Sequence, residues 1–147
     1  GEGVFYGKCA ELCGPSHALM DFKVKSLERN DFDAWIAAMQ ATEGQIADKD
    51  SSDVGEAAFA NSCLACHAVS GSGVSGAMGP NLTTFGDRNR VAGFMDHTEE
   101  DVVKWIMDGM KPESKLKPGN LMTGKYNVSE AEAEAIAKYL MSLSVED

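Results

Sequence analysis

All four cysteines of the chain fall in two close pairs, Cys9/Cys13 and Cys63/Cys66, and two of its three histidines, His17 and His67, sit beside them. An even cysteine count at short spacing is what a small disulfide framework shows. A bare crosslink, however, has no use for an imidazole at close range. Thiolate and imidazole together are soft, borderline metal ligands, so the pairing favours metal or cofactor chemistry. The third histidine, His97, stands apart and reads as a surface residue near a helix start.

Cys63-Leu64-Ala65-Cys66-His67 is a C-x-x-C-H run, the attachment signal for c-type haem. The order serves the chemistry: two thiols add across the haem vinyl groups, and the adjacent imidazole is held under the iron. A thioredoxin-like dithiol wants a β-α-β pattern around it, which the sequence lacks. A zinc site wants a second ligand pair at suitable spacing, and only the distant first pair is available.

With Gly55 and Phe59 preceding Cys63 at steps of four, and Gly79-Pro80-Asn81-Leu82 following, the chain from about Ser51 to its C-terminus resembles the class I cytochrome c family. The resemblance implies a helical fold around a covalent haem, held by Cys63 and Cys66 with His67 on the iron. It implies that the first and last helices of that unit cross at the Gly/aromatic position, with Ile136 and Tyr139 as partners. It further implies that the Pro80 carbonyl accepts a hydrogen bond from the second nitrogen of His67, which fixes the ring and raises its basicity. Of the eight methionines, Met122 lies in the loop Pro118-Gly119-Asn120-Leu121-Met122 ahead of the last helix, where the family carries its distal ligand. Met110 is the fallback, and bis-histidine ligation by His97 a further alternative.

Cys9-x3-Cys13-x3-His17-x2-Met20 gathers thiolates, imidazole and thioether, a set that suits copper far better than magnesium or calcium. The run Gly7 to Met20 resembles the binuclear copper (CuA) loop of cytochrome c oxidase subunit II. By that resemblance Cys9 and Cys13 bridge two coppers, Glu11 offers its backbone carbonyl, and His17 and Met20 each complete one metal. The family's other histidine comes from an upstream strand, and no histidine precedes Cys9 here. Copper is therefore expected to be absent or incomplete in this chain, with the cysteines free or joined.

These ligands need elements to position them. Gly3–Tyr6 and Met20–Leu27 read as strands, the second alternating apolar and polar with period two. They would flank the copper loop as an antiparallel remnant of a cupredoxin domain (residues 1–28), packed on the rest through Phe5, Phe22 and Val24. Asn30 or Asp31 can cap a helix to about Ala41 with Phe32, Trp35, Ile36 and Met39 on one face, and Thr42–Ser52 is a polar linker, giving a second segment over 29–50. The cytochrome unit, 51–147, opens with a helix from Asp53 into Cys63. A Gly/Ser-rich loop follows over 70–80. Thr98 and its acidic successors start a helix carrying Val102, Val103, Ile106 and Met110, and Lys111–Lys125 is an extended loop. Ser129 with Glu132 makes a capping box for the last helix, whose buried side is Ile136, Tyr139, Leu140 and Leu143. The fold class is thus mainly α, with a short strand pair in front.

Charge supports the division. Residues 1–30 balance four acidic against four basic side chains, and the whole net charge of −10 lies beyond them. That sign argues against a nucleic-acid partner. The longest apolar run, Ala34–Met39, is far short of a membrane span. Opening on Gly1 without Met, the chain reads as a piece of something longer.

The order copper loop, short helix, cytochrome unit resembles subunit II of the haem–copper oxidases that carry a fused cytochrome c. The resemblance implies an electron-entry module on the outer face of a bacterial cytoplasmic membrane, taking electrons from an external donor and passing them through haem and copper to the dioxygen-reducing subunit. Its expected partners are the other oxidase subunits and an upstream cytochrome or quinol–cytochrome c reductase. A free soluble cytochrome shuttle and a peroxidase-like haem protein are the rival classes. Lys111, Lys115, Lys117 and Lys125, with Lys104 nearby, are expected to form a locally positive docking face around Met122.

Overall fold

Gly3–Lys8 (β1) and Asp21–Ser26 (β2) pair antiparallel in the computed structural model, which describes residues 1–69 and 78–146. Phe5 lies opposite Val24, and Gly7 opposite Phe22. The Phe22 ring covers Gly7 so closely that a Cβ there would meet it at 2.3 Å. Among the described residues this apolar face stays largely open. Phe5, Phe22 and Val24 are 58%, 53% and 54% exposed, so the expected hydrophobic docking of the hairpin is not what holds it. A Lys25–Glu146 ion pair at 2.6 Å is one of the contacts it makes instead.

Arg29–Ala41 (α1) begins two or three residues earlier than its sequence suggests. Glu28 occupies the N-cap without a side-chain bond, so neither Asn30 nor Asp31 is the cap. The stripe Phe32, Trp35, Ile36 and Met39 is only partly covered, and no residue of α1 is buried. Phe32 and Trp35 stack on each other at 6.1 Å. The segment that follows is not merely a linker. Ala47 is buried in the core, and the Asp48 N–H donates to Glu56 Oε1 at 3.2 Å. A methyl side chain costs almost no entropy to bury, which is how one core residue hides in a polar stretch.

Val54–Ser62 (α2), Glu99–Gly109 (α3) and Glu130–Ser142 (α4) each start at the expected side-chain cap. Asp53, Thr98 and Ser129 accept from the N–H groups of Glu56, Asp101 and Glu132, and the reciprocal Glu132–Ser129 bond completes the capping box. Such a cap contributes about 1 kcal/mol. The helices meet where α2 crosses α4. A Cβ on Gly55 would lie 2.2 Å from the Ala135 carbonyl oxygen and 2.8 Å from Tyr139 Cβ, so this crossing demands glycine. Phe59 and Ile136, each 1% exposed, fill the crossing, with the Phe59 and Tyr139 rings tilted at 5.7 Å. Complete burial of such side chains stabilises the fold by about 1.5–3 kcal/mol apiece.

A second, two-residue strand pair, Arg90–Val91 (β3) with Met95–Asp96 (β4), has no counterpart in the sequence reading. Its turn carries Ala92 at φ 51°, where a non-glycine residue is uncommon. The expected loop over 70–80 lies outside the described residues up to position 77. No helix among the described residues is long and apolar enough to cross a membrane.

Candidate functional site

Cys63 caps α2, its N–H bonded to the Phe59 carbonyl at 2.7 Å, and the chain then turns back on it. The N–H groups of Cys66 and His67 both donate to the Cys63 carbonyl, at 3.0 and 2.9 Å. One carbonyl thus winds the C-x-x-C-H run into a tight turn that brings both thiols and the imidazole to one side. The His67 ring is buried, with Nδ1 2.9 Å from the Pro80 carbonyl oxygen. A carbonyl only accepts, so Nδ1 carries the proton and donates, leaving the Nε2 lone pair for a metal. The sequence reading missed the next contact. A Cβ on Gly79 would lie 2.5 Å from His67 Cε1 and 2.6 Å from Nδ1, so glycine is what lets the imidazole reach Pro80.

The imidazole and Met122 line one cleft of about 1300 Å³ including its open mouth, walled by Phe59, Leu82, Phe85, Trp105, Ile136 and Leu140. An adjoining pocket of about 450 Å³ shares Cys63, His67 and Met122 and adds Cys66 and Met110. Met122 therefore borders both spaces and Met110 one of them. Asn120 anchors the Met122 loop: its side-chain oxygen accepts from the Met122 N–H at 2.9 Å, and its amide donates to the Gly109 carbonyl at 2.8 Å. His97 borders neither space. It is half-buried rather than on the surface, with Nε2 2.9 Å from the Phe85 carbonyl and its ring 5.2 Å from that of Phe85.

The Cys63 thiol is pushed up to about 11, first by burial and then by the neighbouring Cys66. A thiol held that firmly in its protonated form is a poor redox nucleophile. A large apolar cleft, two free thiols at its edge and an oriented imidazole fit a covalently attached haem. Arg88 also lines the cleft, where burial lowers its pKa. It donates to the Asn81 carbonyl and lies over the Phe85 ring.

At the other end of the chain, the copper-loop donors converge. Cys9 and Cys13 place their sulfurs 3.5 Å apart, and Cys13 Sγ lies 3.5 Å from His17 Nδ1 and 3.6 Å from Met20 Sδ. The Cys9 thiol donates to the Glu11 carbonyl at 3.1 Å. The four residues singled out by spacing, and Glu11 that the resemblance adds, are thus brought together, and the cysteines are free, not joined. A 3-10 turn over His17–Leu19 and the bond from the Cys9 N–H to the Met20 carbonyl, 3.0 Å, close the loop. The Cys13 thiol is raised above its usual value, chiefly by its hydrogen bond with Cys9. The donor set fits soft metal chemistry, with one imidazole where the family uses two.

The proposed lysine face is reduced. Lys111 is paired with Asp108 at 2.6 Å, and Lys117 is partly buried with its Nζ on the Ala92 carbonyl at 2.6 Å. Lys115 and Lys125 remain exposed.

The Cytochrome c family model matches residues 52–144. The chain belongs to the cytochrome c family. Its mainly helical fold, with four α-helices and two antiparallel strand pairs among the described residues, agrees with that membership. A second model, cytochrome c oxidase subunit II, periplasmic domain, matches residues 1–27, ahead of this cytochrome. Over 98% of its length the chain is 51% identical to cytochrome c oxidase subunit 2 of Bacillus sp. (strain PS3). It is 46% identical over 97% to the protein of that name from Alkalihalophilus pseudofirmus, and 44% over 97% to that from Bacillus subtilis. The chain spans 40% of the length of each of these relatives.

Proposed function

We propose that this cytochrome is the haem-bearing electron-entry module of a cytochrome c oxidase subunit II, exposed on the outer face of a bacterial cytoplasmic membrane. Residues 1–28 contribute the copper loop, 29–50 the connection and 51–147 the haem domain. The observation that carries the reading is the cleft in which Cys63, Cys66, His67 and Met122 meet.

Cys63 and Cys66 would tether the haem, and His67 and Met122 would hold its iron. Bound there, the haem supplies one-electron chemistry at iron. Pro80 holds His67 in the tautomer that presents Nε2, and Gly79 leaves room for it. The apolar walls exclude water, and a thioether ligand sets a high potential, as suits a late carrier. With both His67 and Met122 holding the iron, substrate chemistry such as peroxidation would find no open site. In the parent protein Cys9, Cys13, His17, Met20 and the Glu11 carbonyl would hold the CuA pair. Electrons would pass from an external donor through the haem site to the copper site, and on to the dioxygen-reducing subunit.

The test is spectroscopic. Met122→Ala should abolish the methionine–iron charge-transfer band of the ferric protein, open the iron to added ligands and lower the potential. Loss of that band in Met110→Ala, with Met122→Ala intact, overturns the assignment. Metal analysis of this chain should find one iron and less than stoichiometric copper.

A further inference from the structure

The two ligand clusters meet at a point that neither cluster's chemistry requires. Ser16, the residue before His17, donates its hydroxyl to the Pro118 carbonyl at 2.6 Å across 102 residues of sequence. Beside it, a Cβ on Gly119 would lie 3.4 Å from Pro15 Cδ, so the Pro15 ring rests on the Gly119 backbone. Gly119 is at φ +80°, a left-handed conformation that glycine adopts freely. A few residues on, the Leu19 carbonyl approaches Gly93, where a Cβ would be 3.5 Å from it and 3.9 Å from Lys117 Nζ. Lys117 in turn holds the Ala92 carbonyl. Away from this point, Lys25 on β2 pairs with Glu146 at 2.6 Å.

We infer that Pro15 and Ser16 dock on Pro118 and Gly119 as a built junction between the copper loop and the Met122 loop, with Lys25–Glu146 as a second clamp, and that this junction sets how closely the two redox sites couple. The inference rests on the proposed electron route. On one side of the junction Ser16 is covalently joined to His17. On the other, the Asn120 N–H donates to the Lys117 carbonyl at 3.1 Å, and Asn120 Oδ1 accepts from the Met122 N–H at 2.9 Å. Bonded atoms and three hydrogen bonds therefore run from one candidate ligand to the other. In the step served, one electron leaves the ferrous haem, which becomes ferric, and one enters the oxidised copper pair, with no proton moved. Ser16, Lys25 and Glu146 are positioning residues. Because the hairpin's apolar face stays largely exposed, these few contacts carry the docking.

The experiment has two readouts. In the haem-loaded chain, nuclear Overhauser contacts between Pro15 and Gly119 report the junction without electron transfer. They should be present in the unsubstituted protein, weaken in Ser16→Ala and in Lys25→Glu, persist in Ser16→Thr and return in Lys25→Glu/Glu146→Lys. In the subunit carrying both centres, the intramolecular haem-to-copper rate after pulsed reduction should fall roughly fivefold in Ser16→Ala, the factor one hydrogen bond gives in an equilibrium. The same restorations should follow. Copper content and the methionine–iron band are read alongside, and Lys25→Glu, remote from every ligand, gives the result if Ser16→Ala loses copper. Absent Overhauser contacts overturn the junction. Contacts present with a rate indifferent to all variants overturn its role in coupling. Contacts present with no transfer in the unsubstituted subunit overturn the electron route and leave the junction standing.

Discussion

None of residues 1–46 is buried, whereas the chain from Ala47 onward builds a continuous core from Phe59, Val91, Val102, Ile106, Ile136 and Leu140. Yet both halves assemble a set of candidate metal donors. In the hairpin half the donors lie within twelve residues, and a turn, a short 3-10 segment and one cross-strand bond suffice to face them together. In the helical half, His67 and Met122 are far apart in sequence and meet because α2, α3 and α4 pack around a cleft. A ligand cluster can thus be local and nearly independent of a core, or global and wholly dependent on one. Mutations should separate the two.

The largest effect is expected at the helix crossing. Gly55→Val drives a branched side chain into the Ala135 carbonyl, and the cost should be about 3 kcal/mol or more, because backbone rather than a flexible side chain must yield. Urea denaturation of the haem protein measures it, and the methionine–iron band should weaken in the folded population. A loss below ~1 kcal/mol would mean that the crossing is looser than the glycine implies.

A smaller loss, about 1 kcal/mol, is expected for Ser129→Ala, which removes the α4 cap. Its pH dependence has a definite sign. Ser129 holds the Glu132 carboxyl below its ordinary 4.5, first through its backbone N–H and then through its hydroxyl. That contribution is present above the unfolded value and is lost as pH falls through the lower, folded one. The hydroxyl's share of the difference between Ser129→Ala and the unsubstituted protein should therefore shrink below about pH 4.5, as denaturation at stepped pH would show.

The smallest effect belongs to the hairpin. Phe5→Ser with Phe22→Ser removes two aromatic rings, yet stability of the helical half should change by no more than about 0.5 kcal/mol, since neither ring touches its core. A larger shift in the same urea transition would join the halves energetically and erase the contrast.

What the sequence disclosed follows the same division. The caps at Asp53, Thr98 and Ser129, the haem run and the copper-loop donors were readable because each depends on neighbours a few residues away. Gly55 was readable through its spacing to Phe59. Ala47, Gly79, the Ala92 turn and the environment of His97 depend on what arrives from elsewhere in the chain, and nothing local marks them. The hairpin's apolar alternation was read correctly as a strand but wrongly as a packing face. Periodicity tells which side chains share a face, not whether anything covers it.

One consequence of α1 concerns concentration. Its thirteen residues form a rod of roughly 20 Å at 1.5 Å per residue, joining the hairpin to a segment anchored at Ala47. Two redox partners joined in this way do not search for each other through solution. A tether of this reach holds the one at an effective concentration on the order of millimolar around the other. Encounter then ceases to depend on dilution, so even a junction made of a few exposed polar contacts is occupied often enough to matter. Weak docking on a short leash also releases quickly, which frees the Met122 loop between encounters.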